Sequence, residues 1–233
     1  MAIASTRPVN HAERDACIAA VAPFFAAATL DPVVRVTLDR VFHPAYRAYT
    51  DARATADAAT GDATEASSAL AAATDAFESA FLRWSRSVRD ADGRVQVAAL
   101  ARLLGGVRPS DAIKHGPREV VTRVGRMLTR LDEVPELAGD PALLDAVRTS
   151  LAVLAPAVDA HEAAVRARIA ANKALPSAAT AFDRAWGSLV RAAASVEVDP
   201  LGAVIPTFHR AKPATAPAAC APAELPVRLT EAA

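Results

Sequence analysis

A long segment occurs twice in this chain, and nothing else in the sequence restricts the fold as strongly. Asp31-Pro32 opens a run that ends in Ala76-Phe77-Glu78-Ser79-Ala80-Phe81. Asp140-Pro141 opens a second run that ends in Ala181-Phe182-Asp183-Arg184-Ala185-Trp186. Both endings follow the pattern Ala-Phe-acid-x-Ala-aromatic at an offset of 105 residues, which also pairs Leu70 with Leu175, Trp84 with Leu189 and Arg86 with Arg191. The openings pair at an offset of 109, so the copies differ by four residues, about one helical turn. The expectation is one long-helix unit used twice.

The composition suits helices that lie close together. Hydrophobic residues make up 52 % of the 233, but Ala supplies about half of them and aromatics only 5 %. Gly is scarce and clusters of β-branched residues are missing, so a sheet-based core is not expected. The fold class read from this is all-α: an elongated helical bundle of two long, kinked, pseudo-repeated helices, with shorter covering helices and an extended tail.

Asn10 is placed to cap a helix over residues 10–29, with Glu13 at the third position as in a capping box and Pro23 as a kink. Residues 1–9 read as a frayed start. Asp31 caps the first long helix, 31–90, with Pro32 at the first helical position. Pro44 and Gly61 are its expected bends. Its apolar residues step by three and four through Ala52, Ala56, Ala59, Ala63, Ala66, Leu70, Ala73, Phe77, Ala80, Trp84 and Val88, a heptad seam of coiled-coil type. Small seam residues let two backbones approach closely.

Val95–Leu104 reads as a short helix stopped by Gly105-Gly106. Ser110 caps a helix over 111–131, with Gly116-Pro117 able to break its first turn and Val121, Val124, Leu128 and Leu131 as its stripe. The second long helix, 140–197, carries the seam Val147, Leu151, Leu154, Val158, His161, Val165, Ile169, Asn172, Leu175, Ala179, Phe182, Trp186, Leu189, Ala193 and Val196. Pro156 and Pro176 should bend or interrupt it. Residues 1–199 are read as one bundle. Residues 200–233 hold six prolines among alanines and read as an extended, partly polyproline-like tail.

No residue pattern points to catalysis. None of the five histidines has Glu three residues before it, which argues against a carboxylate-bridged di-iron bundle. Gly105-Gly106-Val107-Arg108-Pro109-Ser110 matches neither a Walker loop nor a dinucleotide fingerprint. Its helix start beside Arg108 is at best an anion seat. His11, Glu13, Asp15 and Cys17 cannot all face one ion, because neighbours two apart on a helix diverge. Asp39/His43 and Asp111/His115 have the spacing of surface pairs. His161 is the best single candidate for a buried functional group, and Asn172 reads as a register-setting polar residue. Phe77, Phe81 and Trp84, with Phe182 and Trp186, are expected to meet in a shared aromatic plug.

Acids and bases balance at 26 each, which argues against a general nucleic-acid surface. Cys17 and Cys220 form no CxxC pair and no disulfide framework, so a reducing cytoplasm is the default. Ile18–Leu30 is apolar enough for a signal peptide or an interfacial helix. However, Glu13 and Asp15 stand where basic residues belong, and Pro23 interrupts it. No uncharged apolar run of about 20 residues is present to span a membrane.

The functional expectation is a non-enzymatic structural or protein-interaction protein, cytoplasmic, with a protein partner or self-association, no nucleic acid and no cofactor or metal. The alternative is a small-ligand or metal-binding helical bundle with His161 as contributor.

Overall fold

The computed structural model describes residues 3–27, 29–89, 93–196 and 200–210. In chain order they form strand β1 (Ile3–Ser5) and helices α1 (His11–Val21), α2 (Pro32–Thr37), α3 (His43–Ser87), α4 (Val97–Leu103), α5 (Pro109–Ala112), α6 (Pro117–Leu131) and α7 (Pro141–Ala194), then strand β2 (Phe208–Arg210). The class is all-α, with α3 and α7 packed against each other. Contacts sort the chain into two compact units, one of residues 1–46 with 181–233, the other of residues 47–180.

In the unit of residues 47–180, α3 and α7 run antiparallel. Ala56 and Ala59 of α3 pack against Ala171 and Leu175 of α7. Further along, Phe77, Phe81, Trp84 and Val88 join Leu144, Val147, Leu154 and Val158 in one core. α4 and α6 close that core through Leu100, Leu104, Val120, Val124, Met127 and Leu131. Three alanines and Leu175 fill the first contact, a thin one. The thicker core forms only where extra helices cover it.

All eleven expected seam positions of α3 are buried or half-buried, from Ala52 to Val88. The seam of α7 shifts by one residue in its middle. Ile169 is 59 % exposed and Asn172 is exposed, while Arg168 is half-buried and Ala171 is buried. Position 171, packed against Ala56 and Ala59, is filled by a methyl. On α6 the buried stripe is Val120, Val124, Met127 and Leu131, with Val121 and Leu128 at its edge.

The end of α3 is bolted to the start of α7. Trp84 Nε1 donates to the Ala138 carbonyl at 2.8 Å, and Asp140 N donates to Ser87 Oγ at 3.2 Å. Between them Gly139 has φ +65°, and a Cβ there would lie 2.8 Å from Ser87 Oγ. Only glycine suits both demands.

In the other unit, Asn10 caps α1 by accepting from Glu13 N at 2.8 Å, and Glu13 Oε2 accepts from Val9 N at 2.7 Å. The expected helix over 10–29 stops at Val21, and Pro23 sits in the 3-10 turn that follows. Asp31 caps α2, with Pro32 at its first position. The bend expected at Pro44 is expressed one turn earlier, as a π-helical turn over Leu38–Phe42. Proline cannot donate to the Arg40 carbonyl and crowds it, and a wider turn relieves both. Gly61, Pro156 and Pro176 do not interrupt their helices. The carbonyls that the two prolines leave unbonded belong to Ala152 and Asn172, both on exposed residues that water reaches.

Several expectations give way here. Residues 3–5 are not frayed: β1 pairs antiparallel with β2, Ile3 opposite Arg210 and Ser5 opposite Phe208. The first part of the 200–233 tail is therefore folded, with Leu201 buried; residues 211–233 lie outside the described set. Ser110 is not a cap. Pro109 opens α5 after Arg108, and α6 starts afresh at Gly116-Pro117. The aromatic groups have separate partners: Phe77, Phe81 and Trp84 sit in the core described above, whereas Phe182 and Trp186 pack against Phe42 at 5.4 and 5.8 Å between ring centres.

Candidate functional site

Most of the residues singled out for chemistry prove to be occupied by structure. Arg14 lies buried on α1 and donates from Nε to Asp183 Oδ1 at 2.8 Å and from Nη2 to Asp183 Oδ2 at 2.9 Å. Their side chains are 9 % and 11 % exposed. Asp183 is the acid of the second repeat motif. Cys17, one turn after Arg14, is fully buried, and its thiol is pushed up to about 12 by burial, with the Asp183 and Glu13 charges adding to the effect. A thiol this hard to ionise is a packing group, not a nucleophile. His11, Glu13 and Asp15 do not gather with it around a common centre. Among the described residues no group of three or more His, Cys, Asp and Glu could hold a metal ion.

The histidine pairs re-sort. Asp39 accepts from Arg35 at 2.7 Å, and His43 packs instead against Phe25 and Tyr46. Asp111 accepts from Lys114 at 2.9 Å, and His115 faces Glu119 at 3.5 Å. Arg35 and Lys114, permanently charged, take the two carboxylates to which the histidine spacing pointed. Arg35 also donates to the carbonyls of Phe24, Phe25 and Ala27, tying down the turn before α2. His161 is half-buried on α7 and, among the described residues, belongs to no group of three or more that could hold a metal ion; Asn172 faces solvent.

Two grooves remain. One, of about 520 Å³, lies over the C-terminal end of α7 and is lined by Thr6, Arg7, Asp183, Trp186, Ser188 and Arg191. Two of its polar groups are already engaged: Asp183 accepts from Arg14, and Trp186 Nε1 donates to the Thr6 carbonyl at 2.7 Å.

The other groove, of about 330 Å³, runs between the end of α4 and one face of α6. Leu103, Leu104 and Gly105 form one wall; Glu119, Thr122, Arg123, Arg126 and Arg130 form the other. Arg123 is anchored: Nη1 donates to the Leu104 carbonyl at 3.0 Å and Nη2 is hydrogen-bonded to Glu119. Its buried Nε has no partner. The Arg123 guanidinium holds the Glu119 carboxyl below the usual carboxylate range. Arg126 and Arg130 are exposed and bond to nothing among the described residues.

This groove was missed in the sequence because the overall charge is zero. A local count finds it: residues 79–130 hold eleven of the 26 basic residues and four of the 26 acidic ones. The spacing of 119, 123, 126 and 130 then puts those charges on one helical face.

No protein-family model, curated protein or solved structure matches the chain. The class that the fold defines is an all-α protein in which α3 and α7 pack against each other. One helix among the described residues, α7, is long and apolar enough to cross a membrane, and 28 % of its most apolar window is buried.

Proposed function

We propose that this protein is a non-enzymatic interaction or assembly protein whose working surface is the unused face of α7. The observation that carries this reading is a second run of alternating three- and four-residue steps on that helix. Val153, Pro156, Ala160, Ala163, Ala167, Ala170 and Ala174 follow one another in this way, and every one is exposed. Their spacing is that of a heptad seam, and the buried face of the same helix already uses alanines to approach α3. A seam of small side chains has little to offer a small ligand but admits another helix at short distance. Val153 at 57 % exposure adds a larger apolar side chain to the same line.

Native mass spectrometry of the wild-type chain and of Ala163→Glu/Ala167→Glu tests this. Both positions are exposed, so the charged pair leaves the fold intact. A multimer, or a retained helical partner, that is lost in the variant supports the reading. Bare monomer for both proteins would overturn it. An extra small-molecule mass that disappears in His161→Ala would replace it with a ligand-binding bundle.

A further inference from the structure

We infer that the groove between α4 and α6 binds an extended acidic segment of a partner protein, one with carboxylates at alternate positions. This goes beyond the α7 face and does not depend on it. The groove belongs to a stretch with seven more basic than acidic residues in a chain whose net charge is zero. Its one carboxylate, Glu119, is already taken by Arg123, which leaves Arg126 and Arg130 as unopposed cations. Each can hold a carboxylate through two parallel N–H groups.

Spacing selects the ligand. Arg126 and Arg130 are four residues apart on a helix, about 6 Å along its axis. Side chains two apart on an extended chain are separated by roughly 6.5 Å and point the same way. An extended peptide with Asp or Glu at alternate positions therefore offers one carboxylate to each arginine. On the facing wall Leu103 is half-buried and accepts an apolar flank of such a peptide, whereas Leu104 is taken up in the core. A single-stranded nucleic acid fits less well. The lining has no aromatic side chain for a base to stack on.

The test is fluorescence anisotropy with three probes: a fluorescein-labelled peptide with Glu at alternate positions and Leu or Ser between, the same peptide with Gln for Glu, and a labelled single-stranded oligonucleotide. The full chain is compared with Arg126→Glu/Arg130→Glu and with Arg83→Glu/Arg86→Glu. The second pair makes the same charge change at two other exposed arginines whose side chains have no partner among the described residues. The expected result is binding of the Glu peptide, weakened at least about tenfold by the 126/130 pair and less than about twofold by the 83/86 pair. If the Glu pair melts early, Arg126→Gln/Arg130→Gln takes its place. No binding of the Glu peptide, equal weakening by both pairs, or tighter binding of the oligonucleotide each overturns the inference. None of these results bears on the Ala163/Ala167 experiment, so the two readings fail separately.

Discussion

Arg14 and Asp183 stand 169 positions apart and meet through two hydrogen bonds in a buried, bidentate pair. The link joins α1 to the last turns of α7 and sits against the buried thiol of Cys17. Removing one side strands a charge in the interior, so Arg14→Met or Asp183→Asn should cost about 3–5 kcal/mol. Arg14→Met/Asp183→Leu leaves no orphan and should recover much of that loss. Thermal unfolding of the three variants decides it. Single variants that melt with the wild type would show that the pair holds nothing together.

Gly139 should not tolerate alanine. The left-handed backbone alone costs a residue with a Cβ about 1–2 kcal/mol. The added Cβ would also press on Ser87 Oγ and on Val88 Cγ2, at 2.8 and 3.0 Å. Ser87 Oγ cannot move away freely, because it donates to the Trp84 carbonyl at 2.7 Å and accepts from Asp140 N. Gly139→Ala is therefore expected to lower the midpoint of chemical denaturation, whereas Gly61→Ala, in open space on α3, should raise it slightly. A Gly139→Ala protein as stable as its parent would contradict this account of the junction.

Cys17 should resist thiol reagents in the native state. It is fully buried, and its thiol is held near 12. In a Cys220→Ser background, a chromogenic disulfide reagent near pH 8 should label nothing until denaturant is added. Labelling of the folded protein at the rate of a free thiol would mean that α1 opens readily from its unit.

Arg118 ties α6 to α7, donating to Asp159 at 2.6 Å and to Glu162 at 2.8 and 3.0 Å. The hydrogen bonds from Arg118 hold the Glu162 carboxyl below its ordinary 4.5. A depressed carboxyl stabilises the fold fully above its unfolded value and loses that contribution as pH falls through the lower folded value. The gap in melting temperature between wild type and Arg118→Gln should thus be constant above about pH 5 and shrink below about pH 4. The residues are exposed, so the gap itself should be small. A gap that widens in acid would reverse the assignment.

The two long helices, their caps and the seam of α3 were legible because each rests on local chemistry. Asp31-Pro32 and Asp140-Pro141 start a helix in any context, and steps of three and four mark a face whatever it meets. The seam of α7 was legible only in part. Hydropathy favours Ile169 over Ala171, but it is Ala171 that the fold packs against Ala56 and Ala59. Periodicity among so many alanines cannot tell neighbouring frames apart.

The Arg14–Asp183 pair, the β1–β2 ribbon and the α4–α6 groove had no local signature. Their partners lie far apart in sequence or, for the groove, disappear in a charge sum of zero. The sequence alone determined that this chain is helical, where its long helices begin and which face of α3 is buried, because propensity, capping and periodicity act within a few residues. Tertiary structure alone decided which aromatics pack together, which arginines are bound and which are left free. Those outcomes depend on which distant groups the fold brings within hydrogen-bond reach and which it leaves in water.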